Sequence, residues 1–271
     1  MSYSLYDWNN ALQQRNEYVE DRLKDGSPII AVSCEDGILM LTIRSAQRKI
    51  FEVYDRLMMG ALGKQSDVES LRLAAVDTAH REGFERSPDD VAIQRLVGFA
   101  LSPAVKRVYN DQQSIPLTLR AIFAELNKKS EDDHLFVMGY DGEYRTLNEG
   151  VAVAAGTPYA EEQAEESLRE AKPANLQDAL KAAVTAWGIG RARLAPSRRD
   201  NNDVDDDYDL DPLGDTPGVP KVTDDPVVAV REALRSGATV EAALLERHTR
   251  RESRFRALRP DELNEALADY R

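Results

Sequence analysis

Apolar and polar positions along this 271-residue chain fall into blocks whose period changes from one to the next. In residues 7–24, Trp8, Leu12, Tyr18 or Val19, and Leu23 gather near one face among charges, a helical pattern that Gly26 stops. Residues 28–34 and 37–44 are runs rich in Ile, Val and Leu, split by Glu35-Asp36-Gly37, and predict two strands and a turn. Residues 49–54 and 57–62 predict a second hairpin around Asp55-Arg56. Ser66 with Glu69 three positions on has the form of a capping box opening a helix to about residue 82, with Val68, Leu71, Ala75, Val76 and Ala79 on one face. Ser87-Pro88-Asp89-Asp90 predicts the start of the next helix. Pro103 either kinks that helix or sits in the first turn of a continuation to residue 109.

Strand chemistry returns at 116–126 and 135–140, with a hairpin turn at Asp141-Gly142 and a following strand to about 147. A short apolar run covers 151–154. Thr157-Pro158 caps a helix to about 171, and Asn175 with Asp178 caps another to 187. Residues 189–226 are rich in Asp, Asn and Pro and poor in apolar side chains, the composition of a disordered insert. Beyond them, 240–246 and 255–258 read as strands and 260–270 as a short helix. Strand groups alternate with helix pairs rather than single helices. That order predicts an α+β sandwich of two antiparallel sheets between helix layers, not a doubly wound parallel sheet.

Charge changes the picture locally. The formal net charge is −13, and residues 200–225, with ten aspartates and Lys221, carry −9 of it. The remainder is nearly balanced and shows no basic stripe, so nucleic acid is a poor partner. Alternating acids at Asp203, Asp205, Asp207, Asp209 and Asp211 suggest calcium, but the sixth and twelfth positions of such a loop hold Tyr208 and Gly214 instead of Gly and Glu. His80, His134 and His248 lie far apart, and with one cysteine they make no metal-ligand spacing. Cys34 sits in an apolar run and reads as a small core residue in a reducing compartment. No long apolar segment and no secretory leader is visible, so the reading is cytoplasmic, with no membrane partner and no cofactor. The final Asp-Tyr-Arg reads as an ordinary terminus.

Several landmarks then occur together in order. They are a leading helix ending at Gly26, the Asp36-Gly37 hairpin, Lys-Ile-x-x-x-Tyr-Asp-Arg from Lys49 to Arg56, and Gly60 to Lys64. A helix with Leu71-Arg72, a hairpin over 126–150 and a helix with Asp178-Ala179-Leu180 follow. The chain resembles the α-subunits of bacterial proteasomes, within the N-terminal-nucleophile hydrolase fold family, over about 8–190 and again over 238–268. The resemblance implies a four-layer αββα sandwich made of 26–190 completed by 227–271, preceded by a gate segment and helix (1–25) and interrupted by the acidic insert (191–226).

The same resemblance implies a noncatalytic subunit. In related β-subunits a threonine freed at its own amino group is the nucleophile. Here Ser27 stands at that position, followed by Pro28, and Ile43 replaces an expected acid. The alternatives are an active hydrolase using Ser27 and a stand-alone scaffold. By resemblance, Lys49 pairs with the C-terminal carboxylate of an AAA ATPase or other activator, and Gly26 and Gly63 lend backbone to that pocket. Met1, Ser2, Tyr3, Ser4, Leu5, Tyr6 and Asp7 would form the gate at a ring's axial pore, Tyr6-Asp7 being similar to archaeal α-subunit tails. The implied partners are β-subunits, neighbouring α-subunits in a heptameric ring, the activator, and unfolded protein substrates in transit.

Overall fold

The computed structural model describes residues 5–147, 149–192 and 225–270. Helix α1 (Leu5–Leu23) leads into strands β1 (Ile29–Cys34), β2 (Gly37–Arg44), β3 (Ile50–Tyr54) and β4 (Leu57–Gly63). Helix α2 (Gln65–Glu85) follows, then α3 (Ile93–Arg95), a π-helical stretch (Leu96–Leu101) and α4 (Ser102–Asn110). Strands β5 (Leu119–Glu125), β6 (His134–Met138), β7 (Tyr144–Leu147) and β8 (Val151–Ala154) precede helices α5 (Pro158–Ala171), α6 (Leu176–Ala192) and α7 (Pro226–Arg235). Strands β9 (Thr239–Glu246) and β10 (Phe255–Ala257) end the sheets.

The strands form two five-stranded sheets, ordered β10-β9-β2-β1-β8 and β3-β4-β5-β6-β7, and every pairing is antiparallel. Strand period explains why the central strands read as continuous apolar runs. On β4, Met58 and Leu62 point between the sheets, while Leu57, Met59 and Ala61 point to the opposite face. On β2, Ile38 and Met40 face inward, and Leu39, Leu41 and Ile43 face outward. Both faces are therefore buried, one against the other sheet and one against helices. The outer face of the first sheet packs on α5, α6 and α7, that of the second on α2, α3, the π-helical stretch and α4. These are the four layers expected from the sequence.

Helix α1 belongs to the inner core. Val19 and Leu23 are fully buried among the residues between the sheets, while Tyr18 is 40% exposed, which resolves the Tyr18-or-Val19 choice. Arg120 on β5 takes both carboxylate oxygens of Glu20 at 2.7 Å each. Its other guanidinium nitrogen reaches the Ala155 carbonyl at 2.8 Å. At the far end of β1, Asp133 and Arg247 clasp the two sheets together. Arg247 meets Asp133 at 2.7 and 3.0 Å and also donates to the Cys34 and Asn127 carbonyls.

Four local expectations change. The Ser66–Glu69 capping box does not form: Ser66 Oγ donates to Asp67, Glu69 pairs with Arg72, and α2 starts after Lys64 with no side-chain cap. Asp67 Oδ2 instead accepts the Thr118 amide at 2.9 Å, so an acid in the first turn serves the neighbouring strand. The helix opened by Pro88 is only a 3-10 turn (Pro88–Asp90), because Glu125 captures the Ile93 amide at 2.7 Å and the chain restarts there. Pro103 then lies in the first turn of α4, and the C-terminal segment forms turns and a 3-10 turn (Ala268–Tyr270) rather than an α-helix. The fourth change is α7, which the Asp-rich composition concealed. Asp225 Oδ1 accepts the Val227 amide at 2.8 Å and Pro226 fills the first helical position, the same device as Thr157-Pro158 on α5.

Candidate functional site

The residues just before β1 and β3 meet the end of α6 at one cavity of about 310 Å³. Gly26, Ser27, Lys49, Gly63, Trp187 and Arg191 all line it. The three residues proposed from sequence for activator binding are thus in one place. Gly63 has a φ of 129°, and a Cβ there would lie 2.1 Å from the Thr118 carbonyl oxygen. Its glycine is required by the backbone of β4 and β5 themselves.

Lys49 is partly buried, and its Nζ donates to the Ser27 carbonyl at 3.2 Å. The backbone of Lys49 is held separately: Glu241 on β9 accepts the Lys49 and Ile50 amides at 3.0 and 3.4 Å. Glu241 also pairs with Arg44 at 3.0 Å and Arg48 at 3.5 Å. Burial pushes the Lys49 pKa down to about 8, Arg191 pushes in the same direction, and Glu241 opposes them. Burial holds Arg191 below its ordinary value too.

The Ser27 hydroxyl is engaged in structural bonds. It donates to the Ile43 carbonyl at 2.5 Å and accepts the Trp187 indole N–H at 3.1 Å, with Thr42 Oγ1 3.3 Å away. Its amide continues into Gly26 and α1. Freeing that amine would remove Val19 and Leu23 from the inner core and Glu20 from Arg120. A hydroxyl nucleophile activated by its own N-terminal amine needs that amine free as base. The arrangement suits holding an anion against Lys49 rather than covalent chemistry at Ser27.

A family model for the proteasome subunit matches residues 23–197. The chain belongs to the proteasome subunit family. Curated proteins to which it is similar include bacterial α-subunits. The proteasome subunit alpha of Frankia casuarinae is 25% identical over 181 residues, 66% of this chain and 74% of the relative. That of Nocardioides sp. is 28% identical over 181 residues, 65% and 69% of the two chains. That of Actinosynnema mirum is 27% identical over 183 residues, 67% and 68%. The chain is of this α type, the noncatalytic class of proteasome subunit, whose active sites lie on β-subunits.

Of the proposed gate residues, Leu5, Tyr6 and Asp7 already lie in α1, which begins two residues earlier than its apolar pattern indicates. Met1, Ser2, Tyr3 and Ser4 lie outside the described residues, as do 193–224 of the acidic insert and its aspartate alternation. Among the described residues no group of His, Cys, Asp and Glu is arranged for a metal, and no helix is long and apolar enough to cross a membrane. Cys34 is buried in the core, its thiol pKa raised by burial.

Sequence reasoning missed Trp187, Arg191 and Glu241 as parts of the site. The signal for Arg191 was obscured by Gly188 and Gly190, which read as the start of the insert. In the fold they continue α6, where backbone comes close to Gly188 and the Pro28 ring comes close to Gly190. A Cβ on Gly188 would lie 2.6 Å from the Pro226 carbonyl oxygen, and one on Gly190 would lie 3.2 Å from the Pro28 ring.

Proposed function

We propose that this chain forms the outer heptameric rings of a bacterial proteasome core, stacked on β-subunit rings that hold the proteolytic sites. Residues 1–7 control entry of unfolded protein substrates, and the cavity at Lys49 receives the C-terminal carboxylate of an AAA ATPase or similar activator. The particle works in the cytoplasm. The α type of the chain supports the ring position, and the chemistry of the cavity supports the docking.

The single observation that carries the reading is the state of Ser27. A position that would hold a nucleophile in a β-subunit holds a hydroxyl bonded to Ile43 and Trp187, beside an ammonium, under a helix that is part of the core. Lys49, in place of tuning a nucleophile, faces the cavity and has a partner's carboxylate to gain. An ammonium–carboxylate hydrogen bond there is worth roughly 1.5–3 kcal/mol.

Intact mass spectrometry of the chain recovered from assembled particles tests this. The expected mass retains the segment before Ser27. Loss of residues 1–26 would make Ser27 a processed N-terminus and overturn the reading in favour of an active hydrolase.

A further inference from the structure

We propose that a second cavity, beside the Asp133–Arg247 clasp, is an anion site that takes one phosphate group on Arg254 and Lys128. It lies at the other end of β1 from the Lys49 cavity and shares no lining residue with it.

Three connections close around this cavity of about 360 Å³. Arg56 comes from the turn between β3 and β4, Asn127 and Lys128 from the segment after β5, and Arg247 and Arg254 from the segment between β9 and β10. Buried Leu126 and exposed Asp89 complete the walls, so four cationic side chains stand against one acidic one. Two of the cations are already committed. Arg56 pairs with Glu125 and donates to the Asp89 and Val91 carbonyls at 3.3 and 3.0 Å. Arg247 is spent on Asp133 and on the Glu35, Cys34 and Asn127 carbonyls.

Arg254 and Lys128 are different. Among the described residues neither pairs with a carboxylate. Part-buried Arg254 is nevertheless fixed in place. Its Nη1 donates to the Thr249 carbonyl and, at 3.3 Å, to the Arg247 carbonyl, and its amide donates to the Asp55 carbonyl at 2.6 Å. These bonds leave the Nε–Nη2 edge without an acceptor among the described residues. That edge presents two parallel N–H groups, the fork that grips two oxygens of one anion.

A carboxylate would place both oxygens on this fork and leave Lys128 unmet. A phosphate group carries a third acceptor oxygen for the Lys128 ammonium and a charge of about −1.5 to −2 against the two cations. Glu125, Asp133 and Asp89 offset the remaining positive charge, so the cavity suits one phosphate rather than a nucleic-acid backbone. Leu126 offers an apolar wall to a small organic group attached to that phosphate. Free phosphate and a small phosphomonoester are the two sources of the group.

Isothermal titration calorimetry on the full chain at constant ionic strength tests the site with inorganic phosphate, glycerol 3-phosphate and acetate. Phosphate is expected to bind saturably, one ion per chain, and acetate about tenfold more weakly. Tighter binding of glycerol 3-phosphate than of phosphate supports a phosphomonoester as the occupant, and the reverse supports the free ion. Arg254→Gln is expected to weaken phosphate binding about tenfold. Lys128→Gln, at an exposed position that the fold tolerates, should weaken it about threefold to tenfold. Lys106→Gln removes the same charge from exposed α4, outside the cavity lining, and is expected to leave binding unchanged. The site is overturned by no saturable heat up to about 10 mM phosphate, or by acetate binding as tightly as phosphate. It is equally overturned if Lys106→Gln weakens binding as much as Lys128→Gln, which marks diffuse attraction, or if neither cavity variant alters it.

Discussion

Lys49→Ala is expected to abolish stimulation of particle peptidase activity by activator C-terminal peptides while rings still assemble. The separation follows from how the residue is held. Its ammonium makes one hydrogen bond, to the Ser27 carbonyl, and takes no part in the apolar clusters. The loop that carries it is fixed by Glu241 through backbone amides, which alanine retains. Removal of the ammonium also ends the cost of burying it, so the fold loses little. The ligand loses a charge-assisted bond of roughly 1.5–3 kcal/mol, about a tenfold to hundredfold change in affinity. Peptide-stimulated hydrolysis in a fluorogenic assay, read beside native-gel mobility of the particles, measures both quantities. Unchanged stimulation with intact rings would remove Lys49 from the docking site.

Asp133→Ala is expected to be the more damaging change to the fold. The Asp133 side chain is fully buried and the Arg247 side chain is 6% exposed. Besides Arg247, the carboxylate accepts Ser33 Oγ at 2.6 Å and the Asn127 amide at 2.8 Å. One acid therefore joins β1, the segment after β5, the approach to β6 and the segment after β9. Alanine would leave the guanidinium buried without its carboxylate and the Ser33 hydroxyl and Asn127 amide without this acceptor. Breaking one side of such a pair costs about 3–5 kcal/mol. The urea midpoint should fall accordingly, with the slope of the transition unchanged. The clasp and the cavity sit at opposite ends of β1, so any material that remains folded should keep its peptide affinity. A stability loss below about 1 kcal/mol would show that the pair behaves like an exposed one.

The sandwich was legible because its strands are unusually plain. Strands β1, β2 and β4 carry apolar side chains to both faces, and the turns at Asp36-Gly37 and Asp141-Gly142 are marked by glycine. The start of α5 was legible because a cap and a proline coincide at Thr157-Pro158. Other helix starts were misread where a long-range partner outbid the local one. Asp67 serves Thr118 and Glu125 serves Ile93, and neither distant partner has any sequence signal at the helix it shapes. Helix α7 was hidden because Asp225-Pro226 adjoins an acidic run whose composition dominates the window.

The site was legible in part. Lys49, Gly26 and Gly63 were marked by resemblance, and they meet at one cavity. Arg191 and Trp187 reach that cavity from α6, and Glu241 stands behind Lys49 from β9, some 140 to 190 residues away in sequence. Their convergence is a property of how α6 and β9 pack on β1 and β2, which no local pattern encodes. The resemblance supplied a lysine. The surrounding charges that set its protonation came only with the fold.

We propose that this chain is a ring subunit surrounding proteolytic sites it does not contain. Electron-microscope imaging of particles assembled from the chain and its β-subunit tests it most directly. Sevenfold outer rings of this chain on β-subunit rings are expected, with the chain's helix α1 intact in front of Ser27. A chain that stays monomeric beside assembled β-subunits, or one found in the inner rings, would contradict it.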